Sequence, residues 1–182
     1  MALLFVSYFV IVNMFFSISG PTTSATIGNS VIEASTAHEV HESAKTPAAL
    51  YSDLVPKTAE NFRALTTGEK GPNYSFKNSV CHRILTGFIV QCGDFTTGKG
   101  YGGRSIYGNK FDDEPNGLRL THSKRQFCFM LGPAPHLNGH HVVFGEVVDG
   151  FEIVDKMEAA GVQADGIPLQ HKVQFLDGGE YL

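Results

Sequence analysis

Residues 81–108, CHRILTGFIVQCGDFTTGKGYGGRSIYG, decide how the rest of the chain is read. Two apolar runs, 80–85 and 88–92, flank Thr86-Gly87. Short runs of this kind on either side of a glycine-containing pair predict two strands around a tight turn. The glycine-rich continuation Gly98-Lys99-Gly100-Tyr101-Gly102-Gly103-Arg104 has the composition of a phosphate cradle. A P-loop needs Gly-Lys-Ser/Thr leading into a helix, and a dinucleotide loop needs a preceding strand, a following helix and a later acidic residue. Ser105-Ile106-Tyr107-Gly108 supplies neither. The run is therefore a structural loop whose glycines serve turns.

Upstream, Val55-Pro56 followed by KTAENFRALTTG predicts a helix. Pro56 suits a first turn, Ala59, Phe62, Ala64 and Leu65 form a partial apolar stripe, and Gly68 ends it. Downstream, 126–131 (QFCFML) and 142–148 (VVFGEVV) are strand candidates, with a last strand at 173–176. Asp149-Gly150 is a turn, after which 151–160 places Ile153, Val154, Met157 and Ala160 on one helical face before Gly161 closes it. Short strands with one helix near each end of the body describe an α+β domain or a barrel capped by helices.

The first nineteen residues, MALLFVSYFVIVNMFFSIS, carry no charged side chain and are apolar except for Ser7, Asn13, Ser17 and Ser19. Residues 1–20 are expected to be a signal peptide, or a membrane anchor if uncleaved, although the basic n-region of a signal peptide is missing. Residues 21–48, rich in Ser, Thr and Ala and without sustained periodicity, are expected to be a weakly ordered linker. That leaves 49–182 as the folded domain. It implies delivery to the secretory pathway, secreted or in the endoplasmic reticulum lumen, where the sequon Asn73-Tyr74-Ser75 would matter.

Of the 182 residues 42% are hydrophobic and 14 are Phe, enough apolar material for a core. Fourteen basic against 18 acidic side chains give a formal charge of -4, so charge provides no reason to expect a nucleic-acid partner. Three cysteines allow at most one bridge. His38 and His41 stand three apart where the zincin motif needs four. His136, His140 and His141 lack a cysteine at zinc spacing, and Asp112-Asp113-Glu114 lacks the EF-hand pattern and is read as a solvated acidic turn. Cys81-His82 is read as a strand cysteine beside a histidine, since nothing else supports acyl transfer. No metal and no cofactor are expected.

Three stretches together resemble one family: VPKTAENFRALTTGEKG at 55–71, the quoted 81–108, and HLNGHHVVFGEVVDGFEIVDKME at 136–158. They occur in order and without rearrangement, and they are similar to a cyclophilin. The resemblance implies a mainly β fold with α+β elements, a closed eight-stranded barrel capped by two helices. It implies a monomeric peptidyl-prolyl cis-trans isomerase that assists folding of proline-containing proteins and binds cyclosporin. An X-Pro bond rotates over a barrier of roughly 20 kcal/mol because rotation breaks amide resonance. A catalyst has to stabilise the twisted amide, which takes an apolar pocket for the ring and a donor for the prolyl nitrogen but no nucleophile or cofactor. By resemblance Arg83 is that donor, Phe88 the pocket aromatic, Gln91 the orienting amide and Gln126 the second amide. His82, Leu85, Ile89 and Cys128 line the groove, with Leu137 and His141 on its far side.

Relatives carry about fifteen further residues before the position of Gln126, including a strand and a backbone run that binds substrate. Here only THSKR stands at 121–125. The barrel is therefore expected to be incomplete, and the two strands that normally precede Pro56 find no clear counterpart in 31–49. Cys128 replaces a pocket phenylalanine, which removes aromatic surface, and His136 stands where many relatives have tryptophan, which is expected to weaken cyclosporin binding. Reduced isomerase activity is expected. The alternative is a non-catalytic cyclophilin-like domain that binds proline peptides.

Overall fold

The computed structural model describes residues 10–19, 44–108, 111–114, 116, 127–137, 141–161 and 171–181. Among these residues seven strands and two α-helices follow in the order β1 (Val10–Ser19), β2 (Ala44–Leu50), α1 (Pro56–Thr67), β3 (Arg83–Leu85), β4 (Ile89–Cys92), β5 (Phe127–Met130), β6 (Gly145–Val147), α2 (Phe151–Ala159) and β7 (Lys172–Tyr181). They make a four-stranded sheet of order β6-β2-β1-β7 and a three-stranded sheet of order β3-β4-β5. The protein is mainly β with two helices, as expected. A closed eight-stranded ladder is not seen among the described residues, where β5 pairs with β4 alone.

The largest departure is at the N-terminus. The apolar run expected to be a signal peptide or anchor is, over Val10–Ser19, a central strand paired antiparallel with β2 on one side and β7 on the other. Val12, Met14 and Phe16 are fully buried while Ile11, Asn13 and Phe15 are only half-buried. This is the period of two that a pleated strand imposes. Phe16 stacks edge-on against Phe175 at 5.3 Å and Phe129 at 5.9 Å, so this strand reaches both sheets. A register shift at Phe15/Phe16 against β7 bends the pair locally. The expected linker boundary at 48 is crossed as well, because β2 begins at Ala44 and buries Thr46, Ala48, Ala49 and Leu50. The two strands expected to lack counterparts are thus present. Residues 1–9 and 20–43, including His38 and His41, lie outside the described residues, as do Gln126 and His140.

The helices follow their sequence signals. Pro56 opens α1, its stripe buries Ala59, Phe62, Ala64 and Leu65, and Gly68 ends it at φ 69, the left-handed conformation that glycine takes without steric cost. Its first-turn amides find their acceptor far away in sequence. Glu114 Oε1 accepts from Lys57 N at 2.9 Å and Oε2 from Thr58 N at 2.7 Å, so this one residue of the acidic turn caps the helix, while Asp112 and Asp113 are exposed to solvent as expected. Helix α2 buries Ile153 and Met157. It starts after Gly150, whose φ of 73 and close approach to the Lys45 carbonyl oxygen leave no room for a Cβ. Between the layers Phe62, Phe76, Phe127, Phe129 and Phe175 form a continuous aromatic core with Ile84, Val90 and Leu65. No helix among the described residues is long and apolar enough to cross a membrane.

Candidate active site

The hairpin β3–β4 has the tight turn that Thr86-Gly87 predicts. Phe88 N–H donates to Leu85 O at 3.0 Å, and the ladder pairs Arg83 with Gln91, Ile84 with Val90 and Leu85 with Ile89. Strand β5 extends it, pairing Gln91 with Cys128 and Ile89 with Met130. Alternation along these strands separates two faces. Ile84, Val90, Phe127 and Phe129 point into the core. Arg83, Leu85, Ile89, Gln91, Cys128 and Met130 therefore share the opposite face. Five of the ten site residues expected from sequence, Arg83, Leu85, Ile89, Gln91 and Cys128, share this face; Gln126 is not among the described residues.

The face grades from covered to open. Gln91 is 8% exposed and Ile89 5%, Arg83 and Leu85 are half-buried, and Met130 is 47% exposed. A charged donor beside a buried amide, with apolar surface next to it, can orient an extended peptide and place its proline ring. At the turn end, Phe88 lies 5.4 Å from the His136 ring at 37°, which draws the short helical turn Pro135–Leu137 towards the hairpin. Leu131 N–H donates to Phe88 O at 2.9 Å and fixes that approach. Leu137 is half-buried in the same turn, and His141 is half-buried in the loop leading to β6. Met130 was passed over in sequence because QFCFML reads as a uniform apolar run. Only its register opposite Ile89 shows which of its residues face outward.

At the other end of the hairpin the glycine-rich loop folds against His82. Asp94 organises it, accepting at its carboxylate from Thr96 N at 3.2 Å, Thr97 N at 2.9 Å, Gly100 N at 2.8 Å, Gly102 N at 3.1 Å and from the Thr97 hydroxyl. Burial alone pushes the Asp94 carboxyl up, but the donors from Thr97, Gly102 and Gly100 together outweigh it and hold it well below the usual carboxylate range. Gly100, at φ 84, lies so close to the His82 ring that an added Cβ would sit 2.6 Å from it. The loop's amides at Gly100 and Gly102 are taken up by Asp94, and Gly100 packs against His82, the neighbour of Arg83.

Cys81 and Cys92 are joined in a disulfide, and Cys128, which takes no part in it, is exposed. The pairing could not be chosen from three cysteines. Among the described residues no group of three or more His, Cys, Asp or Glu side chains is placed to hold a metal ion.

The family model for cyclophilin-type peptidyl-prolyl cis-trans isomerases matches residues 39–176. That span holds every residue of the outer face just described. Strand β1 lies N-terminal to it, so the matched stretch and the folded sheet do not share a boundary.

Proposed function

The chain belongs to the cyclophilin-type peptidyl-prolyl cis-trans isomerase family, and we propose that it rotates X-Pro bonds on the outer face of the β3-β4-β5 sheet with Arg83 as the donor. It is a peptidyl-prolyl cis-trans isomerase that acts on proline-containing peptides. The observation that carries the siting is the ladder that sets Arg83 opposite Gln91 and Gln91 opposite Cys128 on the face turned away from the core.

Rotation takes the prolyl nitrogen out of conjugation and returns its lone pair, so a fixed cationic N–H donor stabilises the twisted amide more than the planar one. Arg83 fits that part because its guanidinium stays charged and presents a rigid fork. Gln91, nearly buried, orients the substrate carbonyl. Phe88, Leu85 and Ile89, with Met130 at the open end, hold the proline ring. His82 supports the flank beside Arg83, Leu137 and His141 form the far side, and Gln126 is the second amide by resemblance alone.

Turnover is lower than in a complete groove, for two reasons. Cys128 offers far less surface to the ring than a phenylalanine does. Only 121–125 stand where relatives carry a substrate-binding wall. His136 against Phe88 makes cyclosporin a weak ligand, and the isolated domain is a monomer.

We place the protein in an oxidising lumen. The Cys81–Cys92 bond supports this, since disulfides persist in such compartments, and Asn73 of the sequon is exposed. Delivery of this kind keeps residues 10–19, whose buried side chains cannot stand in the sheet and in a bilayer at once. Endoglycosidase-sensitive mobility that disappears in Asn73→Gln would support lumenal delivery, and an unglycosylated pool confined to the cytosol would sink it. The siting is tested by exchange-NMR measurement of isomerisation on a proline tetrapeptide, wild type against Arg83→Ala.

A further inference from the structure

We propose that the Cys81–Cys92 disulfide is a positioning clamp for the catalytic hairpin, holding Arg83 and Gln91 opposite one another; the proposal rests on the siting given above. Cys81 belongs to the edge of the first sheet. Its N–H donates to Val173 O of β7 at 2.9 Å, and its neighbour Val80 bridges Gln174 of the same strand. Cys92 ends β4 in the second sheet. The bond therefore ties one sheet to the other across the mouth of the hairpin. The covalent loop it closes, of sequence separation 11, contains Arg83, Leu85, Phe88, Ile89 and Gln91.

The hairpin needs such a tie. Its own ladder has only three residue pairs, and among the described residues the far edge of its sheet, β5, has no further strand beyond it. In a closed barrel each strand is held from both sides by backbone hydrogen bonds. Here the disulfide fixes one end of the hairpin, and the Phe88–His136 contact with the Leu131–Phe88 bond fixes the other. Cys81 is 3% exposed and Cys92 0%, so small thiols in solvent do not reach the bond while the protein is folded. It acts as a permanent clamp and not as a redox switch.

The test uses the full chain with Cys81→Ala and Cys92→Ala together, measured against wild type by exchange NMR on a proline tetrapeptide and by thermal unfolding. A second sample reaches the same state without substitution. Wild type is opened in mild denaturant with dithiothreitol, which gives two electrons and two protons to the S–S bond and becomes a cyclic disulfide; the protein is then returned to buffer, and a portion is reoxidised in air. Misplacing a reacting group by about 1 Å costs up to about a hundredfold, so we expect kcat to fall roughly tenfold or more with KM changed less than about threefold. Cooperative unfolding is expected to persist, and reoxidation is expected to restore kcat.

Unchanged kcat in both unclamped samples overturns the proposal. So does loss of the unfolding transition, which would make the bond a staple of the whole fold. Failure of the siting looks different: oxidised wild type is then inactive, or Arg83→Ala matches it. Active wild type and inactive Arg83→Ala, together with full kcat in the unclamped protein, would remove the clamp alone.

Discussion

Deleting residues 1–20, as signal cleavage would, is expected to abolish folding of the domain. The deletion removes β1, whose Val12, Met14 and Phe16 are each 0% exposed. Burying an apolar side chain of this size is worth about 1.5–3 kcal/mol, so the three contribute roughly 5–9 kcal/mol. A whole domain is stable by only about 5–15 kcal/mol. The strand also carries seven residue pairs with β2 and nine with β7, and without it those backbones lose their partners in the middle of the sheet. The single change Phe16→Ala gives a graded version of the same test. It leaves a hole against Phe175 and Phe129 and is expected to cost about 3–5 kcal/mol. Both variants are compared with the full chain in urea by far-UV circular dichroism, which suits a protein without tryptophan. The truncated chain should show no cooperative transition and Phe16→Ala a lowered midpoint. A truncated chain that unfolds at the wild-type midpoint would refute the assignment of β1 to the sheet.

Three further outcomes follow from local geometry. The folded-state carboxyl of Asp94 titrates below its unfolded value, so its contribution is fully present above about pH 4 and is lost as the pH falls through the depressed value; Asp94→Asn should flatten that acid limb of an unfolding-midpoint-against-pH plot, and an unaltered limb would contradict the account. Glu114→Ala removes the acceptor for two first-turn amides of α1 and should cost about 1 kcal/mol, read as a fall of about 2–4 °C in Tm. Cys128→Phe adds aromatic surface opposite Gln91 and should raise kcat/KM roughly threefold to tenfold; no gain would mean that Cys128 does not border the proline pocket.

The second sheet was legible because its signals are local. Thr86-Gly87 between two apolar runs marks the turn, and once the turn is placed the antiparallel ladder follows, including Arg83 opposite Gln91. Helix α1 was legible for the same reason, with Pro56 at one end and Gly68 at the other. Strand β1 was not. Its outer-face residues Ile11 and Phe15 are as apolar as the inner-face Val12, Met14 and Phe16, so the period of two is hidden and an uncharged run of that length resembles a spanning helix. The disulfide depends on residues 78–81 running along β7 before they turn into the hairpin, a tertiary fact that no spacing between cysteines records. Glu114 is likewise invisible as a cap because the Lys57 amide it accepts from lies 57 residues earlier.

The central claim, that Arg83 on the outer face of β3-β4-β5 stabilises the twisted X-Pro amide, is tested most directly by exchange NMR on a proline tetrapeptide with the full chain and with Arg83→Ala. The wild type should exchange cis and trans proline faster than buffer alone. The variant should lose about a hundredfold in kcat or more, the usual effect of removing one donor aimed at a developing charge, while unfolding at the wild-type temperature. A variant as fast as wild type, or a wild type no faster than buffer, would contradict the account.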